Sequence, residues 1–236
     1  MILNRIPGDR FSEVSPEWQG ETVVILGGGP SLTAQDVQTV ASAHECRAVK
    51  CIAVNDAYLL ASWADVHYAA DLRWHAWHSA GIAKPAIGLA AEEVRQRWAA
   101  FSGQKCSIEN GTGVVADDSV HVLRNAHGAV HGYGLSADPR MLVTGRNSGF
   151  QALNLAVLAG AERVILLGFD GKAAPDGRSH WFGEHPESMA SAVYSYFRQA
   201  MSAAENDLAA AGVEVLNASP GTAIDSFPKV SLRDVL

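Results

Sequence analysis

VVILGGGPSL, residues 23–32, decides the fold: a short, β-branched apolar run breaks directly into three glycines, a proline and a serine. Thr22–Leu26 shows no polar alternation, so it reads as a strand buried on both faces, the habit of parallel sheets covered by helices. Glycines at such a junction permit a tight turn and close approach of a ligand to the backbone. The helix start that follows would leave amide donors unpaired, which suits an anion. The spacing limits which anion site this is. Gly27-Gly28-Gly29-Pro30-Ser31-Leu32 is not GxGxxG, because Leu32 stands where the third glycine belongs, and no GxxxxGK[ST] occurs in the chain. Two readings remain open. Gly28, Gly29 and Ser31 face an anion with Pro30 opening the helix, or the stretch is an ordinary strand–helix turn.

Outward from this stretch, strand-like and helix-like segments alternate, which predicts an α/β fold: three-layer, Rossmann-like, with a mostly parallel sheet. A helix is expected over 31–45, capped by Ser31 or Thr33. Strands are expected over 51–54, ending at Asn55-Asp56, and over 66–70, ending at Asp71. Further helices are expected over 92–101, 147–159 and, as one long element, 189–211. Arg163–Leu167 reads as the clearest central strand and 213–216 as the last. Residues 107–134 are the hardest to assign, and 168–187 form a polar loop long enough to suggest function. No repeat, linker or low-complexity tract interrupts the chain. A single domain over 1–236 is expected, with 1–20 as an N-terminal extension.

With 236 residues and 48% apolar content, the chain can build one large core. No apolar run approaches the ~18–20 residues that span a bilayer, and nothing near the start resembles a signal peptide. Cys46, Cys51 and Cys106 are odd in number and form no CxxC, which favours reduced thiols and a cytoplasmic setting. A net charge of −7 argues against broad nucleic-acid binding but not against a mononucleotide held by local amides. Homo-oligomerisation is left open.

Ligands of open parallel sheets collect at the carboxyl ends of the strands. The polar residues expected there are Gly28, Gly29, Pro30 and Ser31, then Asn55, Asp71, Asp170 and, after the last strand, Asn217 and Ser219. Asp71 suits a ribose or sugar hydroxyl, or a helix N-cap. Asn147, Ser148 and Gly149 open an almost wholly apolar helix whose amides favour phosphate or carboxylate, with Arg146 alongside as a fixed cation. Capping by Asn147 or Ser148 is the alternative. Asp170 either meets the ligand or braces its loop. Trp181 and Phe182 either cover a ring of the ligand or anchor the loop. His185, in the loop after the central strand, has the residue type for a general base near neutral pH; a surface histidine is the alternative. His180, His185 and Asp170, with His75 and His78, form a weaker metal-ligand pattern without HExxH spacing, so no metal is assigned.

These segments, in order, resemble the bacterial sialyltransferases that use CMP-sialic acid. The opening is similar to their strand and G-x-G-P-S-L turn. Val54-Asn55-Asp56 is similar to their strand ending in an asparagine that contacts nucleotide or sugar. Residues 144–149, then AVLAGAERVILLGFD, are similar to their T-S-G turn, buried helix and strand ending G-x-D. His180-Trp181-Phe182-Gly183-Glu184-His185 resembles H-Y-x-G-H, and Ser219-Pro220 their C-P turn. The chain also resembles flagellin-glycosylation accessory domains, hydroxymethylpterin pyrophosphokinases and, most of all, proteins of tailed phages and prophages. The resemblance implies a nucleotide-dependent transferase, foremost a glycosyltransferase using a CMP-sugar-like donor. It would have His185 as base, assisted by His180, and no tightly bound cofactor. Pyrophosphoryl transfer and a non-catalytic phage-associated ligand-binding protein are the alternatives, the latter in a bacterial host cell. Three departures stand out: Gly28 replaces an asparagine, Glu184 is an extra residue, and no tyrosine in 172–179 matches those that bind substrate.

Overall fold

The computed structural model describes residues 1–109, 118–126, 132–183 and 193–236. Strands β1 (Leu3–Arg5) and β2 (Ser12–Val14) form a small antiparallel hairpin. The main sheet comprises β3 (Thr22–Leu26), β4 (Lys50–Val54), β5 (Val66–Tyr68), β6 (Gln104–Ile108), β7 (Val120–Asn125), β8 (Met141–Leu142), β9 (Arg163–Leu167) and β10 (Glu214–Asn217). Its order is β10-β9-β3-β4-β5-β6-β7-β8, and every neighbouring pair is parallel. The helices are α1 (Ala34–Glu45), α2 (Leu72–Ala80), α3 (Ala91–Ala100), α4 (Ser148–Leu158), α5 (Tyr194–Ala203) and α6 (Glu205–Ala211).

The unbroken apolar run of β3 serves two cores at once. Val23 and Ile25 point into one cluster with α4, α5 and α6, while Val24 and Leu26 point into another with α1, α2 and α3. All four are fully buried, and such side chains stabilise by about 1.5–3 kcal/mol each. The result is the expected α/β, three-layer, Rossmann-like fold. From β3 the chain steps outward strand by strand to β8, then returns through α4 on the opposite face to place β9 on the other flank of β3. The direction of winding therefore reverses between β3 and β9, and their carboxyl ends border the crevice where such sheets bind ligands.

Several expected elements differ in detail. The helix after β3 starts at Ala34, with Thr33 as its cap accepting from Asp36 N, so Pro30 and Ser31 lie in the turn outside the helix. The long helix expected over 189–211 is two helices in its described part, because Ala204 N bonds to Met201 O three residues back and tightens the chain there. Both halves still face one core, through Ala200, Met201 and Leu208. The hard-to-assign region 107–134 contains β7, whose alternation is blurred because the β1–β2 hairpin covers part of it. Arg5 Nη2 donates to the carbonyls of Asp118 and Val120, and Ser12 Oγ lies 3.0 Å from His121 Nδ1. The N-terminal segment is further tied down by Gln104, whose side chain bonds the backbone of Ile2 and Leu3.

Candidate functional site

The glycines after β3 are required by what lies opposite. A Cβ on Gly27 would stand 2.5 Å from Gly168 O, and one on Gly29 would overlap Asp170 Oδ2. The turn thus fits flush against the end of β9: Gly27 N donates to Leu167 O at 2.7 Å and Gly29 N to Gly168 O at 2.9 Å. Ser31 is turned toward Asp170, its amide 3.4 Å and its hydroxyl 3.0 Å from Oδ2. Burial pushes the Asp170 carboxyl above the usual carboxylate range, against the bonds from Ser31. Among the described residues the Gly28 N–H has no partner, while Gly28 O accepts from Trp181 N at 3.3 Å and lies 3.3 Å from His180 Nδ1. The His180 ring stacks on Phe182, with centroids 4.9 Å apart.

Behind Asp170, the loop after β10 fixes the β9 end. Ser219 Oγ accepts from Phe169 N at 2.7 Å, Thr222 Oγ1 donates to Phe169 O, and Ala223 N donates to Asp170 O. Ser219 is thus buried as a brace. The Phe169 ring joins the two corners of the expected site. Its Cδ2 is 3.0 Å from a Cβ placed on Gly27, and its Cε1 is 2.5 Å from one placed on Gly149. The glycine turn and the start of α4 therefore stand one ring's breadth apart.

At that start, Asn147 caps α4. Its Oδ1 accepts from Gly149 N at 2.6 Å and Phe150 N at 3.1 Å, so two of the expected free amides are spoken for. Ser148 Oγ accepts from Ala70 N at 3.4 Å, joining α4 to the end of β5. Arg146 adopts a left-handed φ of 56°, is exposed, and lays its guanidinium 4.4 Å from the Tyr196 ring centroid. Asn55, with φ of 51°, turns sharply at the end of β4; its carbonyl lies 3.0 Å from His67 Nε2, and its half-buried side chain makes no hydrogen bond among the described residues. Asp71 caps α2 through Arg73 N at 2.8 Å and pairs with the Arg73 guanidinium at 2.8 Å. Partial burial works to raise its carboxyl, but the Arg73 bonds prevail and hold it below the usual value. His185 lies outside the described residues.

One group of site neighbours carries no shared signal in the sequence. Asp56, next to Asn55, is fully buried and meets Lys84 Nζ at 2.6 Å, His78 Nε2 at 3.4 Å and Trp74 Nε1 at 3.2 Å. Tyr58 Oη and His78 Nδ1 are 2.8 Å apart. Lys84 Nζ also lies 4.9 Å from the centroid of Phe182, the ring on which His180 stacks. Lys84 sits in an unremarkable AKPAIG stretch, and nothing in the sequence marks it as buried. His75 and His78 lie in this aromatic interior; among the described residues no group of three or more His, Cys, Asp or Glu is placed to hold a metal. Beside the turn, an open cleft of about 510 Å3 is lined in part by Pro30, Thr33, Leu60, Ile87, Arg97 and Trp181.

Fold and rim define a three-layer, Rossmann-like α/β chain. Among solved structures, the chain is similar to the MAf glycosyltransferase from Magnetospirillum magneticum AMB-1, with a TM-score of 0.62 and 16% identity over 95% of this chain. It corresponds to 35% of that protein's chain, about a third of its length. No protein-family model and no curated protein matches the chain. No helix among the described residues is long and apolar enough to cross a membrane.

Proposed function

We propose that the chain is a glycosyltransferase that takes a nucleotide-sugar, CMP-sugar-like in class, at the β3/β9 crevice. The observation that carries this reading is that the glycine turn, Asp170 and the α4 start meet around Phe169, in a fold shared with a glycosyltransferase, with Asn55 at the end of the neighbouring strand β4. The Gly28 N–H and the Ser148 end of α4, with Arg146, supply donors for phosphate or carboxylate. Asn55 and Asp170 supply acceptors for base or sugar, and Asp71 extends that polar edge.

In the reaction, an acceptor hydroxyl oxygen bonds to the anomeric carbon of the donor. The bond from that carbon to the nucleotide phosphate breaks, and the hydroxyl proton passes to a base. His185 is the residue assigned to that proton, being a histidine that follows β9 in the sequence. His180, at the Gly28 carbonyl, holds the segment after β9 to the turn.

Thermal unfolding with a panel of nucleotides and nucleotide-sugars tests the reading. CMP, UDP or one of their sugar conjugates at millimolar concentration is expected to raise the melting temperature. His185→Ala is expected to abolish transfer while leaving that rise intact; equal loss of both removes the base assignment. A larger rise with ATP and magnesium would favour pyrophosphoryl transfer, and no rise with any of them would favour a non-catalytic protein.

A further inference from the structure

The glycine turn has the outline of an anion site with an anion already in it. Asp170 Oδ2 takes the amide and hydroxyl of Ser31, and the missing side chain of Gly29 makes the room that oxygen occupies. The carboxylate is only 6% exposed, and its backbone is held on both sides, by Ala223 N at Asp170 O and by Arg198 Nη1 at Gly171 O. The Gly27 and Gly29 amides are spent on β9 carbonyls. The second oxygen, Oδ1, accepts no hydrogen bond from any other described residue. A phosphate entering the turn would meet this fixed negative charge and find, of the turn's amides, the Gly28 N–H alone without a partner among the described residues; the Lys172 side chain, exposed two residues on, offsets the charge only from outside. A hydroxyl entering the same place would find an acceptor in Oδ1.

We propose that Asp170 is a specificity-determining residue, whose carboxylate shuts free phosphate out of the glycine turn and reserves that position for a hydroxyl of a sugar or ribose. The inference rests on the nucleotide-sugar reading for its ligand and refines it: the charged part of the donor belongs at the α4 start and Arg146, and a hydroxyl-bearing part at the turn.

The test uses inorganic phosphate as probe, so that it stands apart from nucleotide binding. Melting temperatures are measured against phosphate, with chloride at equal ionic strength as reference. With Arg146→Ala in every form to remove the cation at the α4 start, the Asp170 parent should not respond at millimolar phosphate, whereas Asp170→Asn and the shorter Asp170→Ser should show a saturable rise. Ser31→Ala, which keeps the carboxylate, should behave as that parent. In parallel, the preference for CMP over cytidine should grow at least tenfold in Asp170→Asn. A phosphate response in the Asp170 parent equal to that of the variants overturns the proposal, and so does silence in both folded Asp170 variants. If phosphate behaves as expected while no nucleotide binds any form, the specificity assignment stands and the nucleotide-sugar reading falls.

Discussion

Asp56 and Lys84 form an ion pair removed from water, with Asp56 fully buried and Lys84 3% exposed. Charges so placed are costly to leave single, so deleting one partner should cost more than deleting both. Lys84→Met should lower unfolding free energy by about 3–5 kcal/mol in denaturant titration. Adding Asp56→Asn to it should restore much of that loss, and additive losses would show the pair to be independent. The sequence announces Asn55-Asp56 as polar residues at a strand end but does not say that the second turns inward. Asn55 leaves β4 with a left-handed φ, and that bend delivers Asp56 to a lysine 28 positions away. Long-range partners of this kind leave no local spacing to read. Asp170 is the converse case: its place at the end of β9 is legible from GFD, while its embrace by Ser31 depends on two strands that meet only in the fold.

At the level of elements, α4 illustrates how one cap serves two purposes. Asn147 pairs two amides of the first turn, and the apolar body of the helix fills the core beneath the rim. Asn147→Ala should destabilise the protein by about 1 kcal/mol in denaturant titration, the usual worth of an N-cap. Asn147→Asp, which keeps an acceptor at the helix start, should lose much less; equal loss in both variants would refute the cap. The limits of β3 and β9 coincide with expectation because central strands of a parallel sheet are uninterrupted apolar runs that end in glycine. β8 spans two residues, and β7 is half covered by the β1–β2 hairpin, so neither has enough contrast between faces to show a period. Caps are legible as pairs of candidates: both Ser31 and Thr33 have the chemistry to cap α1, and in the fold Thr33 takes the Asp36 amide while Ser31 turns to Asp170.

For the molecule as a whole, buried histidines set the response to acid. Burial holds His67 well below the ordinary imidazole value, and burial also lowers His78 against the pull of Asp56. His121 is pushed down to about 4 by burial, with Arg5 adding to it. Each therefore binds a proton more readily in the unfolded chain than in the folded one. Their contribution to stability is fully present above pH ~6.5 and is lost as pH falls toward their folded values. Each tenfold difference in proton affinity is worth about 1.4 kcal/mol, so the melting temperature should drop steadily between pH ~7 and ~5. A flat profile over that interval would mean that the imidazoles bind protons equally well in the folded and the unfolded chain.

The reversal of winding between β3 and β9 also bears on how the molecule comes into being. Thr22 pairs with Arg163, 141 positions later (163 − 22), so the central ladder closes only after most of the chain has been made. Contacts of such span slow folding and leave apolar edges open to misassembly meanwhile. Until the β9 segment arrives, β3 carries an unpaired flank and the crevice has only one wall. Acquisition of ligand binding is thus a late milestone of maturation, and a ribosome-bound chain stopped before β9 should be both incompetent and prone to aggregate.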